Sequence, residues 1–199
     1  RVGIAWELAA THPGAIVYCY MPEVDKAGHR HGVDSAEWVA ALEDVDATLG
    51  QRVPDDVGLL ITADHGMIDV PHHRQLLLEE GDGWHDGVRH IGGEPRMLHV
   101  YVEPDADPAA VLDRWRRDLS GFADVASRDE AVAAGLFGPV VTADAAERIG
   151  DLVVIARGNH ALYDGAAADQ RSRGMVGQHG ALTGEEWRVP LLRGGAFQR

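Results

Sequence analysis

Val57-Gly58-Leu59-Leu60-Ile61-Thr62 runs directly into Ala63-Asp64-His65-Gly66, and this junction decides how the rest of the chain is read. Six mostly aliphatic residues have the length and composition of a buried strand. A carboxylate and an imidazole follow at once, with a glycine that lets the backbone turn sharply. In an open α/β sheet, loops leaving the carboxyl ends of neighbouring strands meet along one edge, where ligands bind. A strand that ends on Asp-His is therefore a pointer to both fold and chemistry.

Working outward, Ala15-Ile16-Val17-Tyr18-Cys19-Tyr20 reads as a second buried parallel strand, followed by a loop with Pro22 and Gly28. Asp34 caps a helix, with Glu37 three positions on, and Trp38, Leu42, Val45 and Leu49 recur on one face until Gly50 and Pro54 end it. Residues 80–96 are rich in Gly, Asp and His and read as a long loop. Leu98, Val100 and Val102 alternate as in a strand, and Pro108 opens a helical pattern through Val111, Leu112, Trp115 and Leu119. Leu152-Val153-Val154-Ile155-Ala156 is a further apolar run. The expected architecture is α/β, with a largely parallel central sheet flanked by helices. Its core is assigned to residues 1–80 and 150–199, with a loop and a small inserted α+β subdomain over 81–149.

The chain has 199 residues, 18 Lys and Arg against 32 Asp and Glu, and a net charge of −14. Such a surface repels a phosphate backbone and excludes loose nucleic-acid binding. An anionic substrate would need a local reversal of the field, which bound divalent cations supply. No run approaches the roughly 20 apolar residues of a membrane-spanning helix. Cys19 is the only cysteine; no internal disulfide can form, Cys19 is expected to be a buried, inert thiol, and a cytoplasmic location is the expectation. The sequence opens on Arg1, so the expectation is a processed or truncated product.

Three clusters carry chemistry: Asp25-Lys26-Ala27-Gly28-His29, Asp64-His65-Gly66 and His179-Gly180. Carboxylate and imidazole suit Zn²⁺, and Mn²⁺ or Fe with less preference. An isolated Asp-Gly or His-Gly pair is more often a turn than a ligand, but three clusters in this order, two of them at strand ends, are harder to dismiss, and loops at strand ends can bring them together. His31 is a weaker candidate for contact with a substrate. His72, His73, His85 and His90 read as solvated loop residues, with His85 and His90 the two that could line a cleft. The run Arg114, Arg116 and Arg117 reads as a solvated helix face.

Asp25-Lys26-Ala27-Gly28-His29 with Gly32 resembles the Asp-x-x-Gly-His element of nucleotide pyrophosphatase/phosphodiesterases, in the alkaline phosphatase superfamily. Thr62-Ala63-Asp64-His65-Gly66-Met67 is similar to their Asp-His-Gly-Met element. Gly177-Gln178-His179-Gly180-Ala181-Leu182, continuing through Glu186 to Val189-Pro190-Leu191-Leu192, resembles their C-terminal His-Gly segment, and Arg148 to Leu152 fits the region between. The resemblance implies an alkaline-phosphatase-like fold and two divalent ions, zinc first and Mn or Fe as substitutes. Asp25, His29 and His179 would hold one ion, and Asp64 and His65 the other. It implies hydrolysis of phosphodiester or pyrophosphate bonds in small nucleotide-like substrates through a Thr or Ser phospho-enzyme. Neither Thr11 nor Thr62 occupies a strand-to-helix turn, so the nucleophile is expected upstream of Arg1 and this stretch alone is expected to be inactive. Alternatives are a phosphoglycerate mutase-like phosphotransferase, a phosphomonoesterase, or a non-catalytic metal-binding domain.

Overall fold

The computed structural model describes residues 1–50 and 53–198. In chain order the elements are α1 (Val2–Thr11), α2 (Glu23–His31), α3 (Ala36–Leu49), β1 (Gly58–Thr62), β2 (Ile68–Asp69), β3 (Gln75–Leu78), β4 (Val88–Glu94), β5 (Met97–Val102), α4 (Pro108–Asp118), β6 (Ala123–Ser127), α5 (Arg128–Ala133), α6 (Ala143–Ala146), β7 (Leu152–Ala156), β8 (Ala161–Asp164), β9 (Gly177–Gln178), α7 (Gly184–Trp187) and β10 (Leu191–Gly195). None of the described helices is long and apolar enough to cross a membrane.

The best-packed body is a four-stranded antiparallel sheet in the order β4-β5-β7-β6. Alternation over Met97–Val102 behaves as the sequence predicts: Leu98, Val100 and Val102 are buried. Asp107 caps α4 by accepting from the Ala109 N–H at 3.0 Å, and Pro108 takes the first turn, where its missing N–H costs nothing. The α4 face carrying Val111 and Trp115 seals one side of the sheet together with Leu119, and Trp84 meets Trp115 edge-on at 5.3 Å. On the other side Ala131 and Ile149 pack on Val153, with Phe137 and Val141 around them. Ser127 and Glu130 close a capping box at the start of α5.

Several sequence expectations are corrected here. Residues 15–20 form no ladder among the described residues and are exposed except for the half-buried Val17, with Ile16 at 97% and Tyr18 at 85%. Cys19 is exposed rather than buried. A parallel strand is buried only when neighbours flank it on both sides, and this run has none among the described residues. The Pro22–Gly28 stretch is not a loop: Asp25 and His29 stand one turn apart on α2. The cap of α3 is Ser35, whose hydroxyl accepts from the Trp38 N–H at 3.1 Å, while Asp34 takes a positive φ of 62°. The stretch 80–96 contains β4, paired with β5 through a two-residue connection at Pro95-Arg96.

The pairing also differs in detail. β1 is half exposed and runs antiparallel to β10, and among the described strands only β3 and β8 pair in parallel. β7, placed at sequence level with residues 150–199, is hydrogen-bonded between β5 and β6, so the sheet crosses the division drawn at residue 150. The run Arg114, Arg116 and Arg117 is less free than a solvated face: Arg114 donates to the Asp86 carbonyl and Arg116 to Val125 and Glu130.

Candidate metal centre

The two-residue ladder between β2 and β9 joins the segment after Asp64-His65-Gly66 to the segment before His179. Helix α2 is brought to the same place by main-chain bonding, since the Val176 N–H donates to the His29 carbonyl at 2.8 Å. Met67 lies between Gly28 and Gly177, and a Cβ on Gly177 would come within 2.6 Å of the Gly28 carbonyl oxygen. That approach needs glycine. At Gly66 a Cβ would overlap the Glu185 carbonyl oxygen, and the Gly66 N–H donates to the Glu186 carbonyl at 2.6 Å. Gly28 and Gly66 thus mark close approaches, the first of α2 to the segment before His179 and the second of the Asp64-His65 segment to Glu185-Glu186.

Asp25, His29 and His179 come together with one ligand atom each, all within 4.8 Å of one another, and all three side chains are half-buried. The His29 Nδ1 lies 2.8 Å from the Gly177 carbonyl oxygen. A carbonyl only accepts, so Nδ1 carries the hydrogen and Nε2 presents a lone pair. That Nε2 is 3.3 Å from Asp25 Oδ1, which is buried and has no hydrogen-bond partner. With the ring neutral these are two facing acceptors, which repel unless a cation lies between them. Oxygen and nitrogen ligands at about 2.0–2.1 Å on a tetrahedral zinc stand ~3.3 Å apart, so the pair fits a shared metal.

His65 lies beside this trio, its ring stacked on His179 at 3.5 Å between centroids. Its Nδ1 donates to the Gly66 carbonyl at 2.8 Å, again leaving Nε2 free as a ligand. Asp64 Oδ1 is 3.8 Å from that Nε2, and the Asp64 side chain is 71% exposed. This second pair is incomplete: no third carboxylate, imidazole or thiol joins it among the described residues. Burial, then the neighbouring His65 and His29, push the His179 pKa below its ordinary value, which keeps the ring neutral and able to donate a lone pair at neutral pH. Desolvation, then the charges of Asp64 and Asp25, raise the Tyr20 hydroxyl.

His31 does not join the cluster. Two residues on from His29 it points about 200° away around the helix, with Glu37 at 4.0 Å. His85 is bonded to Asp164 at 2.8 Å and His90 stacks on Tyr101, while His72 and His73 are exposed. Thr11 and Thr62 spend their hydroxyls on the Glu7 and Ala63 carbonyls.

The sequence reading missed the buried Arg96–Glu186 pair behind the site. Arg96 donates through Nε and a terminal nitrogen at 2.8 and 2.6 Å. Burial alone would raise the Glu186 carboxyl, but Arg96, Thr183 and the Ala181 N–H together hold it below the usual carboxylate range. Asp69, also unmarked in sequence, accepts the Val33 N–H at 2.8 Å and fastens the end of α2. No local pattern distinguishes either residue from a solvated surface charge.

Comparison with known proteins gives a consistent result. The family model described as type I phosphodiesterase / nucleotide pyrophosphatase matches residues 5–182. Ectonucleotide pyrophosphatase/phosphodiesterase family member 7 of Mus musculus is 33% identical over 73 residues, covering 33% of this chain and 17% of that relative. Murine ectonucleotide pyrophosphatase/phosphodiesterase 5, in an inactive Thr-to-Ala variant with AMP, superposes with a TM-score of 0.73 at 19% identity, over 98% of this chain and 51% of that one. Phosphonoacetate hydrolase from Sinorhizobium meliloti with phosphonoacetate gives a TM-score of 0.59 at 22% identity, over 85% and 43%. The fold is the alkaline-phosphatase-like α/β fold of these structures. The chain spans about half the length of the matched murine structure and less of the curated relative.

Proposed function

The chain belongs to the type I phosphodiesterase / nucleotide pyrophosphatase family, and from that membership we propose that it holds divalent metal for hydrolysis of phosphodiester or pyrophosphate bonds in nucleotide-like substrates. One observation carries the reading. Asp25, His29 and His179, separated by up to 154 positions in sequence, present ligand atoms within 4.8 Å, with an unpartnered buried carboxylate oxygen among them.

Asp25 and Asp64 bring the negative charge that holds cations, and His29, His65 and His179 bring imidazole nitrogens, with the His29 and His65 rings oriented by the Gly177 and Gly66 carbonyls. Bound divalent ions supply positive charge that offsets charge growing on phosphoryl oxygens and eases deprotonation of an attacking hydroxyl. In a chain of net charge −14, this is where an anionic substrate finds attraction instead of repulsion. The nucleophile comes from outside these 199 residues in this proposal. Support comes from Thr11 and Thr62, which face their own backbone, and from the murine relative, inactive with a threonine replaced.

The test is elemental analysis of the chain purified without chelator. Wild type should retain zinc, manganese or iron, and His179→Ala should lower the metal-to-protein ratio. An unchanged ratio sinks the ligand assignment. Hydrolysis of bis-(p-nitrophenyl) phosphate by the 199-residue chain would sink the proposal of an external nucleophile.

A further inference from the structure

We infer that Glu186, held by Arg96, is a positioning residue that sets the spacing between the two halves of the metal centre. The inference rests on the reading that Asp25, His29, His179, Asp64 and His65 bind metal.

Glu186 touches both halves. Its Oε1 accepts the Ala181 N–H at 3.0 Å, two residues beyond His179, and its Oε2 accepts the Thr183 hydroxyl at 2.7 Å. Its main-chain carbonyl accepts the Gly66 N–H at 2.6 Å, one residue beyond His65. The stacked rings of His65 and His179 are therefore tied, each through its own segment, to a single residue. Arg96 fixes that residue in turn. Nε and Nη2 of the guanidinium fork onto the two carboxylate oxygens; Nη2 also donates to the Gly158 carbonyl, at 2.9 Å, and Nη1 to the His160 carbonyl. Arg96 immediately precedes β5, so the chain of contacts runs from the four-stranded sheet to both metal-bearing segments.

The side chains are 0% and 1% exposed. A buried ion pair gains little stability over apolar residues of similar volume, so stability alone does not account for charge at this place. Direction does. Four donors saturate a carboxylate's lone pairs and hold Ala181, Thr183 and Arg96 at fixed angles, which an apolar contact cannot do.

The test separates stability from positioning with the double variant Arg96→Met/Glu186→Leu and with Glu186→Gln. The double variant keeps much of the buried volume and removes both charges together, so it should still fold, with an unfolding temperature lowered by the polar groups it leaves unpaired. It leaves the Ala181 N–H without its acceptor, and zinc affinity, measured by competition with a chromophoric chelator, should fall about 10–100-fold. Glu186→Gln should lower zinc affinity in the same direction. A folded double variant with wild-type zinc affinity overturns the inference. In the zinc-free chain, NMR of the imidazole protons should show mutual ring-current shifts for His65 and His179 that change in both variants; unchanged shifts also overturn it. If wild type binds no zinc, the metal reading fails, and the ring shifts still decide whether Glu186 positions the two histidines. Should both variants fail to fold, Thr183→Val removes one donor at the half-buried edge and the same shifts are read.

Discussion

β7 and β1 look alike in sequence and end in opposite environments. Leu152-Val153-Val154-Ile155-Ala156 lies between β5 and β6, with α4 on one face and α5 on the other, and four of its five residues are buried. Gly58-Leu59-Leu60-Ile61-Thr62 has one neighbour among the described strands, β10, and none of its residues is buried; Leu60 is 56% exposed. The exposed run 15–20 belongs with β1. Burial of an aliphatic strand is thus set by what flanks it, and composition states only what the strand could bury. The candidate metal centre stands between these two regions, with β1 leading into Asp64 and the four-stranded sheet reaching Glu186 through Arg96.

The largest effect that tests this contrast is Trp115→Ala. The indole is fully buried against Trp84 and the sheet, and its removal should cost about 3–5 kcal/mol in urea denaturation. Leu60→Ala, on the exposed strand, should cost under ~1 kcal/mol. Equal losses would break the comparison.

How much was legible follows the same line. The alternation over Met97–Val102, the Pro108 helix start and the Leu152–Ala156 strand are local patterns whose partners lie within the chain, and each forms as read. Residues 15–20 carry an equally clear pattern, but no periodicity reveals whether a neighbour exists. Asp25, His29 and His179 stand together, the grouping the family resemblance implied, and Gly28 meets Gly177 where α2 touches the segment before His179. Arg96 and Glu186 were illegible. Charged residues are almost never fully buried unless paired, and their partners are 90 positions apart.

A second contrast is electrostatic. The Glu186 carboxyl is depressed in the folded state, so its contribution to stability is present above its unfolded pKa and is lost as pH falls through the folded one. Wild type should lose stability as pH drops below about 4.5, the ordinary glutamate value, and Arg96→Met/Glu186→Leu should lose less over that range. Parallel pH profiles would remove Glu186 from the account. Glu130, lowered to about 2 chiefly by Arg116 and then by the Ser127 N–H and hydroxyl, is solvent-exposed. Screening makes its pair a minor stabiliser, and Glu130→Gln should change the profile little.

The smallest expected effects lie in residues 15–20. Cys19 is exposed, so a thiol reagent should label it in the native chain as fast as in urea. Protection would show that something covers this run in solution. Ile16→Ser asks the same question energetically. Ile16 is 97% exposed and gains nothing from burial in the folded chain, so the substitution should alter stability by no more than ~0.5 kcal/mol. It should also leave metal content unchanged, because Ile16 contacts none of the ligand-bearing segments through any hydrogen bond or core cluster among the described residues. A loss above about 1 kcal/mol would place Ile16 under cover, and the distinction between β7 and the 15–20 run would then reduce to one of degree.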